Sequence, residues 1–135
     1  MLEEDVAMAE GVVVAVVEDD ESVRQAIKRL INSLGLSVND FASAEDFLQS
    51  GGYNEAACLI LDVRLPGMSG LELQSHLAAY NCPVPIIFVS AHGDEQTRSQ
   101  ALEAGAVDFL QKPFREQALI GAITACGAID PDQPN

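Results

Sequence analysis

Positive charge is scarce in this 135-residue chain: seven Lys and Arg stand against 21 Asp and Glu, a formal net charge of −14. Such a surface repels phosphate backbones and anionic lipid headgroups, so direct binding of nucleic acid or of a membrane by this chain is not expected. No apolar run approaches the ~20 residues that a transmembrane helix needs. The first residues, Met1-Leu-Glu-Glu-Asp5, are acidic where a signal peptide is basic. With no export signal, the cytoplasm is the expected compartment. Cysteine is sparse: Cys58, Cys82 and Cys126 are odd in number and lack metal-ligand spacing, which excludes a disulfide framework or a zinc site. There is neither a repeat nor a low-complexity tract.

What is present is an ordinary globular composition, 48% hydrophobic and 21% charged, too apolar for a disordered chain and short enough for one domain. Residues 1–11 carry acids without a sustained apolar pattern and read as a loose lead-in. Residues 129–135, with two prolines and two acids, read as a tail or the start of a linker. The domain is expected over residues 12–128.

Within it, strand-like and helical runs alternate. Val12–Val17, Cys58–Leu61 and Ile86–Val89 are continuous apolar runs, suited to central parallel strands buried on both faces. Ser37–Phe41 and Val107–Leu110 are mixed, as edge strands are. In the first helix Val23, Ala26, Ile27, Leu30, Ile31 and Leu34 form one apolar stripe, Arg24, Gln25, Lys28, Arg29 and Asn32 take the opposite face, and Gly35 marks the stop. Ser43 caps a second helix ending at Gly51-Gly52. Leu73, Leu77 and Tyr80 mark a third. A fourth runs from Asp94 to Gly105, and a fifth from about Arg115 carries Leu119, Ile123 and Cys126 on one side. Cys58 and Cys126 are thus expected as small core residues. The pattern is (βα)₅, an α/β doubly wound parallel sheet, with the flavodoxin-like order 2-1-3-4-5.

Ligands of such sheets bind beyond the carboxyl ends of the strands, at the switch point between the first and third. There stand Glu18-Asp19-Asp20-Glu21 after the first strand, Asp62 at the end of the third, Ser90 at the end of the fourth and Lys112-Pro113 after the fifth. Converging carboxylates repel unless a cation lies among them, and an all-oxygen set suits Mg²⁺. Asp20 is either the helix cap or a peripheral ligand. Asp62 beside such an ion can act as a nucleophile on phosphorus, while Lys112 neutralises phosphate oxygens and the Ser90 hydroxyl donates a hydrogen bond. His76, on the third helix, reads as a surface or boundary residue, and no histidine is placed as a phosphodonor.

Val14-Ala-Val-Val-Glu-Asp-Asp-Glu-Ser-Val-Arg24, Leu61-Asp-Val-Arg-Leu-Pro-Gly-Met-Ser-Gly-Leu-Glu-Leu73, Ile87-Phe-Val-Ser-Ala-His-Gly-Asp94 and Asp108-Phe-Leu-Gln-Lys-Pro-Phe114 together resemble the receiver domain of two-component response regulators, most closely its FixJ-type subgroup. The resemblance spans about residues 12–127. It implies that Asp62 is the phosphoacceptor, Asp19 a direct Mg²⁺ ligand with Glu18 as its acidic partner acting through water, and the backbone carbonyl of Arg64 a further ligand. Ser90 and Phe109 take the hydroxyl and aromatic switch positions, Lys112 contacts the phosphoryl group, and the Lys112–Pro113 bond is expected to be cis. Arg64 and His92 flank the path of a hydrolytic water and tune phosphate lifetime. Glu18 departs from the family, where Asp is commoner.

The implied function is a phosphorylation-activated signalling switch, not a turnover enzyme. It is charged by a histidine kinase or phosphotransfer protein. Its readout is the surface of the fourth helix, fifth strand and fifth helix, with Arg98, Ser99 and Leu102 among its members and a homodimer through the fourth helix and fifth strand as one outcome. The receiver module of a transcriptional regulator is the first reading, and a stand-alone receiver serving as adaptor or phosphate sink the second. Two other classes fit less well. A phosphatase of the haloacid-dehalogenase kind needs Asp-x-Asp, where this chain has Asp62-Val63-Arg64. A flavodoxin needs a Ser/Thr/Gly-rich phosphate loop after the first strand, where this chain has four acids.

Overall fold

Three short runs that are apolar almost to their ends become the three inner strands of a parallel sheet. In the computed structural model, which describes residues 12–91 and 93–128, these are β1 (Val13–Val17), β3 (Cys58–Asp62) and β4 (Ile86–Ser90). Every residue of β3 and β4 is buried, which only side chains packed from both faces allow. The mixed runs form the edges, β2 (Ser37–Phe41) and β5 (Asp108–Gln111). The order is β2-β1-β3-β4-β5, all parallel, as the pattern predicts. The bounds move by a residue or so: Val12 and Val107 lie outside the ladder, while Asp62, Ser90 and Gln111 are drawn into it. Backbone pairing, not polarity, ends a strand, so these polar side chains stand on the sheet's carboxyl rim. The expected lead-in 1–11, the tail 129–135 and His92 fall outside the described residues.

Among the described residues, five α-helices cover the sheet: α1 (Glu21–Ser33), α2 (Ala44–Ser50), α3 (Gly70–Ala79), α4 (Glu95–Glu103) and α5 (Glu116–Ala125). Four begin with an oxygen side chain that accepts an otherwise unpaired amide: Asp20 from Ser22 and Val23, Ser43 from Asp46, Ser69 from Glu72, and Asp94 from Thr97. Asp20 is therefore the cap of α1. Ser69 and Glu72 bond reciprocally as a capping box. Alternation of side chains along the strands splits the core into two layers. Val14, Val16, Cys58, Ile60, Ile87 and Val89 pack under α1 and α5. Ala15, Val17, Leu59, Leu61 and Phe88 pack under α2, α3 and α4.

Two expectations change. Tyr80 does not continue the stripe of Leu73 and Leu77: the helix ends at Ala79, and Tyr80, its C-cap, is 64% exposed, edge-on to His76 at 4.6 Å. The polar face of α1 is not simply solvated. Arg24 and Lys28 both reach Asp40 on β2, at 3.1 and 3.4 Å, and tie the helix to the sheet edge.

The loop from β3 to α3 is set by close backbone approach. Gly70 donates its amide to the Val63 carbonyl at 2.9 Å. A Cβ there would run into the Asp62 carbonyl oxygen and lie 3.0 Å from Val63 Cα. The obstacle is backbone, which cannot swing aside. Gly121, in the middle of α5, faces open space. In urea unfolding, Gly70→Ala should therefore lose roughly 1–3 kcal/mol or more, as overpacking does. Gly121→Ala should gain about 0.5–1 kcal/mol from helix propensity alone.

Candidate functional site

At the carboxyl rim, the ends of β1 and β3 bring Glu18, Asp19 and Asp62 so close that one carboxylate oxygen of each lies within 4.8 Å of the others. β1 and β3 are direct neighbours in register, Val17 opposite Leu61. The residues that follow them therefore meet at the same level. Glu18 and Asp62 are buried, at 1% and 5% exposure, whereas Asp19 is open to solvent. Together with Asp20, Arg64, Ala91 and Lys112 they line an open recess of about 300 Å³.

Lys112, delivered from beyond β5, spans the recess. Its Nζ lies 2.7 Å from Glu18 Oε1 and 3.1 Å from Asp62 Oδ2. The Lys112 amide donates to the Ser90 carbonyl at 2.8 Å, and the following Lys112–Pro113 bond is cis. The remaining carboxylate oxygens are held by backbone. The Arg64 amide donates to Asp62 Oδ1 at 3.1 Å, and the Asp20 amide to Glu18 Oε2 at 3.1 Å. Arg24 Nη1 donates to the Glu18 carbonyl at 2.8 Å, which anchors the strand end from α1.

Burial pushes the Glu18 carboxyl up to about 7, and the nearby Asp62 charge adds to this; the hydrogen bonds from Lys112 and the Asp20 amide pull the other way and do not prevail. Burial also works against the Lys112 charge, but its hydrogen bonds to Glu18 and Asp62 outweigh that cost and raise its pKa. Negative charge is thus in excess of what one ammonium neutralises, and the donors are all oxygen. Such a set fits a small hard divalent cation such as Mg²⁺. Glu18, Asp19 and Asp62 are the side chains that could hold it.

The other expected residues sit behind the recess. Ser90 ends β4 and is buried. Phe109 on β5 is 8% exposed, its ring 6.1 Å from that of Phe88, its register partner on β4. The ring is thus inside in this structure. Gly93 makes this possible: a Cβ there would lie 2.6 Å from Phe109 Cζ and 3.6 Å from Ser90 Cβ. His92 lies outside the described residues.

Sequence reasoning missed Gly93, Gly70, Arg24 and a tether from α2, in which Glu45 Oε2 accepts the Met68 amide at 2.8 Å. The glycines in Ser90-Ala-His-Gly93 and Pro66-Gly-Met-Ser-Gly70 were visible signals; the two side-chain contacts had none. It also missed an apolar cleft of about 540 Å³ between α1 and α5, beside Lys112 and Pro113 and walled by Val23, Ala26, Leu30, Phe114 and Leu119. The apolar stripe of α1 is wider than the core it covers, so Ala26 faces this cleft rather than the sheet.

Comparison with known proteins agrees with this geometry. Residues 14–124 match the family model of the response regulator receiver domain. The chain is 50% identical to Nodulation protein W of Bradyrhizobium diazoefficiens, over 84% of this chain and 50% of that one. It is 41% identical to the transcriptional regulatory protein FixJ of Azorhizobium caulinodans, over 87% and 56%. The crystal structure of FixJ-N superposes with a TM-score of 0.76 at 35% identity, covering 85% of this chain and 92% of that one. The chain spans about half the length of the curated relatives it matches. On the strength of a family match that runs from β1 into α5, over a sheet of the same strand order, this chain belongs to the response regulator receiver domain family, with FixJ-type regulators among its relatives.

Proposed function

We propose that residues 12–128 are a receiver that takes a phosphoryl group onto Asp62 from a histidine kinase or phosphotransfer protein. The observation that carries this reading is the bridge of Lys112 between Asp62 and Glu18 in an open recess, next to the exposed carboxylate of Asp19. Backbone and Lys112 hold the Asp62 carboxylate in place, which is most of what phosphoryl transfer asks of a protein. A carboxylate oxygen of Asp62 forms the bond to phosphorus as the phosphorus–nitrogen bond of the donor breaks, and the leaving histidine nitrogen takes up a proton. Lys112 turns from Asp62 to a phosphoryl oxygen, keeping a cation against the new charge. Bound Mg²⁺ would supply further charge neutralisation at the same oxygens. Glu18, Asp19, Asp62 and the Arg64 carbonyl would be its protein ligands. The exposed Arg64 side chain and His92 tune the lifetime of the product. The apolar cleft between α1 and α5 gives an incoming donor protein a surface beside the recess.

The output runs through Ser90 and Phe109. The Ser90 hydroxyl turns to a phosphoryl oxygen, and the ring of Phe109 then gains stability in the buried position beside Gly93. Inward and outward rings pre-exist, and phosphorylation shifts their populations. The face of α4, β5 and α5, with Arg98, Ser99 and Leu102, changes shape and meets a partner or a second copy. Relatives of which the match covers only about half favour a receiver unit within a longer transcriptional regulator over a lone adaptor. In such a regulator, contact with DNA falls to segments other than this acidic unit. No helix among the described residues is long and apolar enough to cross a membrane, and the cytoplasm is the compartment this reading assigns.

Asp62→Asn should keep the fold and take no phosphoryl group from acetyl phosphate with Mg²⁺. Intact mass reads this directly, and undiminished labelling would refute the assignment. Mg²⁺ should raise the melting temperature, because the folded chain alone assembles the carboxylates. Asp19→Ala, at an exposed position, should abolish that shift, and a variant that still responds would remove the metal site. Ser90→Ala should still be labelled on Asp62, yet show a much weaker change in sedimentation or spectrum than the wild-type chain. Gly93→Ala should reproduce that loss by displacing the Phe109 ring. A full response from Ser90→Ala would break this coupling route.

A further inference from the structure

At the edge of the sheet opposite the recess, two thiols meet. Cys58 opens β3 and is fully buried. Cys126 is the C-cap of α5 and is half-buried. Their sulfurs lie 3.3 Å apart, with the Cys58 thiol donating to Cys126 Sγ. They are separated by 68 positions in sequence, so only the tertiary fold makes them neighbours. A disulfide requires about 2.05 Å between sulfurs, so the two must draw closer for the bond to form. Cys82, the third thiol, is on the other face of the sheet, where it donates to the Tyr53 carbonyl at 3.6 Å.

We propose that Cys58 and Cys126 are a redox-active pair, in which a two-electron oxidant such as hydrogen peroxide converts the two thiols to an intramolecular disulfide that ties α5 to β3. The roles of the two sulfurs differ. The Cys58 hydrogen bond favours the thiolate of Cys126 and holds its pKa below the ordinary value, against burial and the nearby Asp108 carboxylate. That same bond, together with burial, pushes the Cys58 thiol up. Cys126, the accessible one, is therefore the attacking sulfur. Its thiolate attacks one peroxide oxygen, the O–O bond breaks, and hydroxide leaves and takes up a proton to become water. The resulting sulfenic acid is in contact with Cys58. The Cys58 sulfur attacks it, an S–S bond forms as the S–O bond breaks, and the oxygen departs as a second water. Two thiols have lost two protons and two electrons, and one peroxide has become two waters. The link is at the amino-terminal edge, so Asp62 and its recess take no part in it.

The test is a thiol count on the folded chain. Reduced protein is treated with hydrogen peroxide, unfolded, alkylated with N-ethylmaleimide and weighed intact. The expected product has lost two hydrogens and takes a single maleimide, on Cys82. Dithiothreitol restores three. Proteolysis without reductant should yield a peptide containing Cys58 joined to one containing Cys126. Cys82→Ser should form the same link, and Cys126→Ser should not. The wild-type measurement stands even where a Cys58 variant fails to fold. Three maleimides on treated wild-type chain, oxygen gained at Cys126 in place of hydrogens lost, or a cross-link that joins two chains and disappears in Cys82→Ser would each overturn the proposal.

Discussion

Mutual repulsion of carboxylates gathered at one rim of a parallel sheet is the constraint on which the site of this protein depends. Glu18, Asp19 and Asp62 are brought within one ion's reach of each other by the register of β1 and β3. Such an arrangement persists only if positive charge is held among them. Lys112 supplies it from β5, at hydrogen-bond distance to two of the three acids. The bridge is a chemical requirement of the site, and it also ties three strands together at their carboxyl ends. Whatever changes the charge at Asp62 must change the partner of Lys112.

That dependence explains why so much of the surrounding chain serves position rather than contact. Arg24 anchors the end of β1 through the Glu18 carbonyl and braces α1 on Asp40. Gly70 lets the start of α3 press against the Asp62 backbone, and the Ser69–Glu72 box fixes that start. Glu45 holds the intervening loop from a separate helix through the Met68 amide. The Lys112 amide donates to the Ser90 carbonyl, which joins the end of β4 to the residue after β5. Gly93 leaves the space that the Phe109 ring fills. The groups between Asp62 and β5 are thus close-packed, with little room to deform smoothly.

Glu18 stands where the resemblance read from the sequence has Asp as the commoner acid. Its longer side chain is buried and reaches Lys112. Burial pushes its pKa to about 7, so its charge depends on what cation lies beside it. The opposite edge of the sheet holds a second feature, the Cys58–Cys126 contact. A doubly wound sheet has two rims, and this chain places titratable or nucleophilic groups at both.

Much of this was legible in the sequence by itself. Short uninterrupted apolar runs suit strands buried on both faces, and the stripes and caps between them suit helices on those faces. The favoured five-strand order, 2-1-3-4-5, then places Glu18, Asp19, Asp62 and Lys112 at one rim. The family motifs pointed to the same residues. What tertiary structure alone decided is whatever depends on distance between segments far apart in the chain. Periodicity marked Cys58 and Cys126 each as apolar but could not say that their sulfurs touch. It put Arg24 and Lys28 opposite the apolar stripe of α1 but could not say that Asp40 on a neighbouring strand draws them in. It extended the stripe of α3 to Tyr80, whereas the helix ends one residue earlier and leaves the ring outside. A pattern along one segment reports which face turns inward. It carries no information about what waits there, because that partner is supplied by another part of the chain.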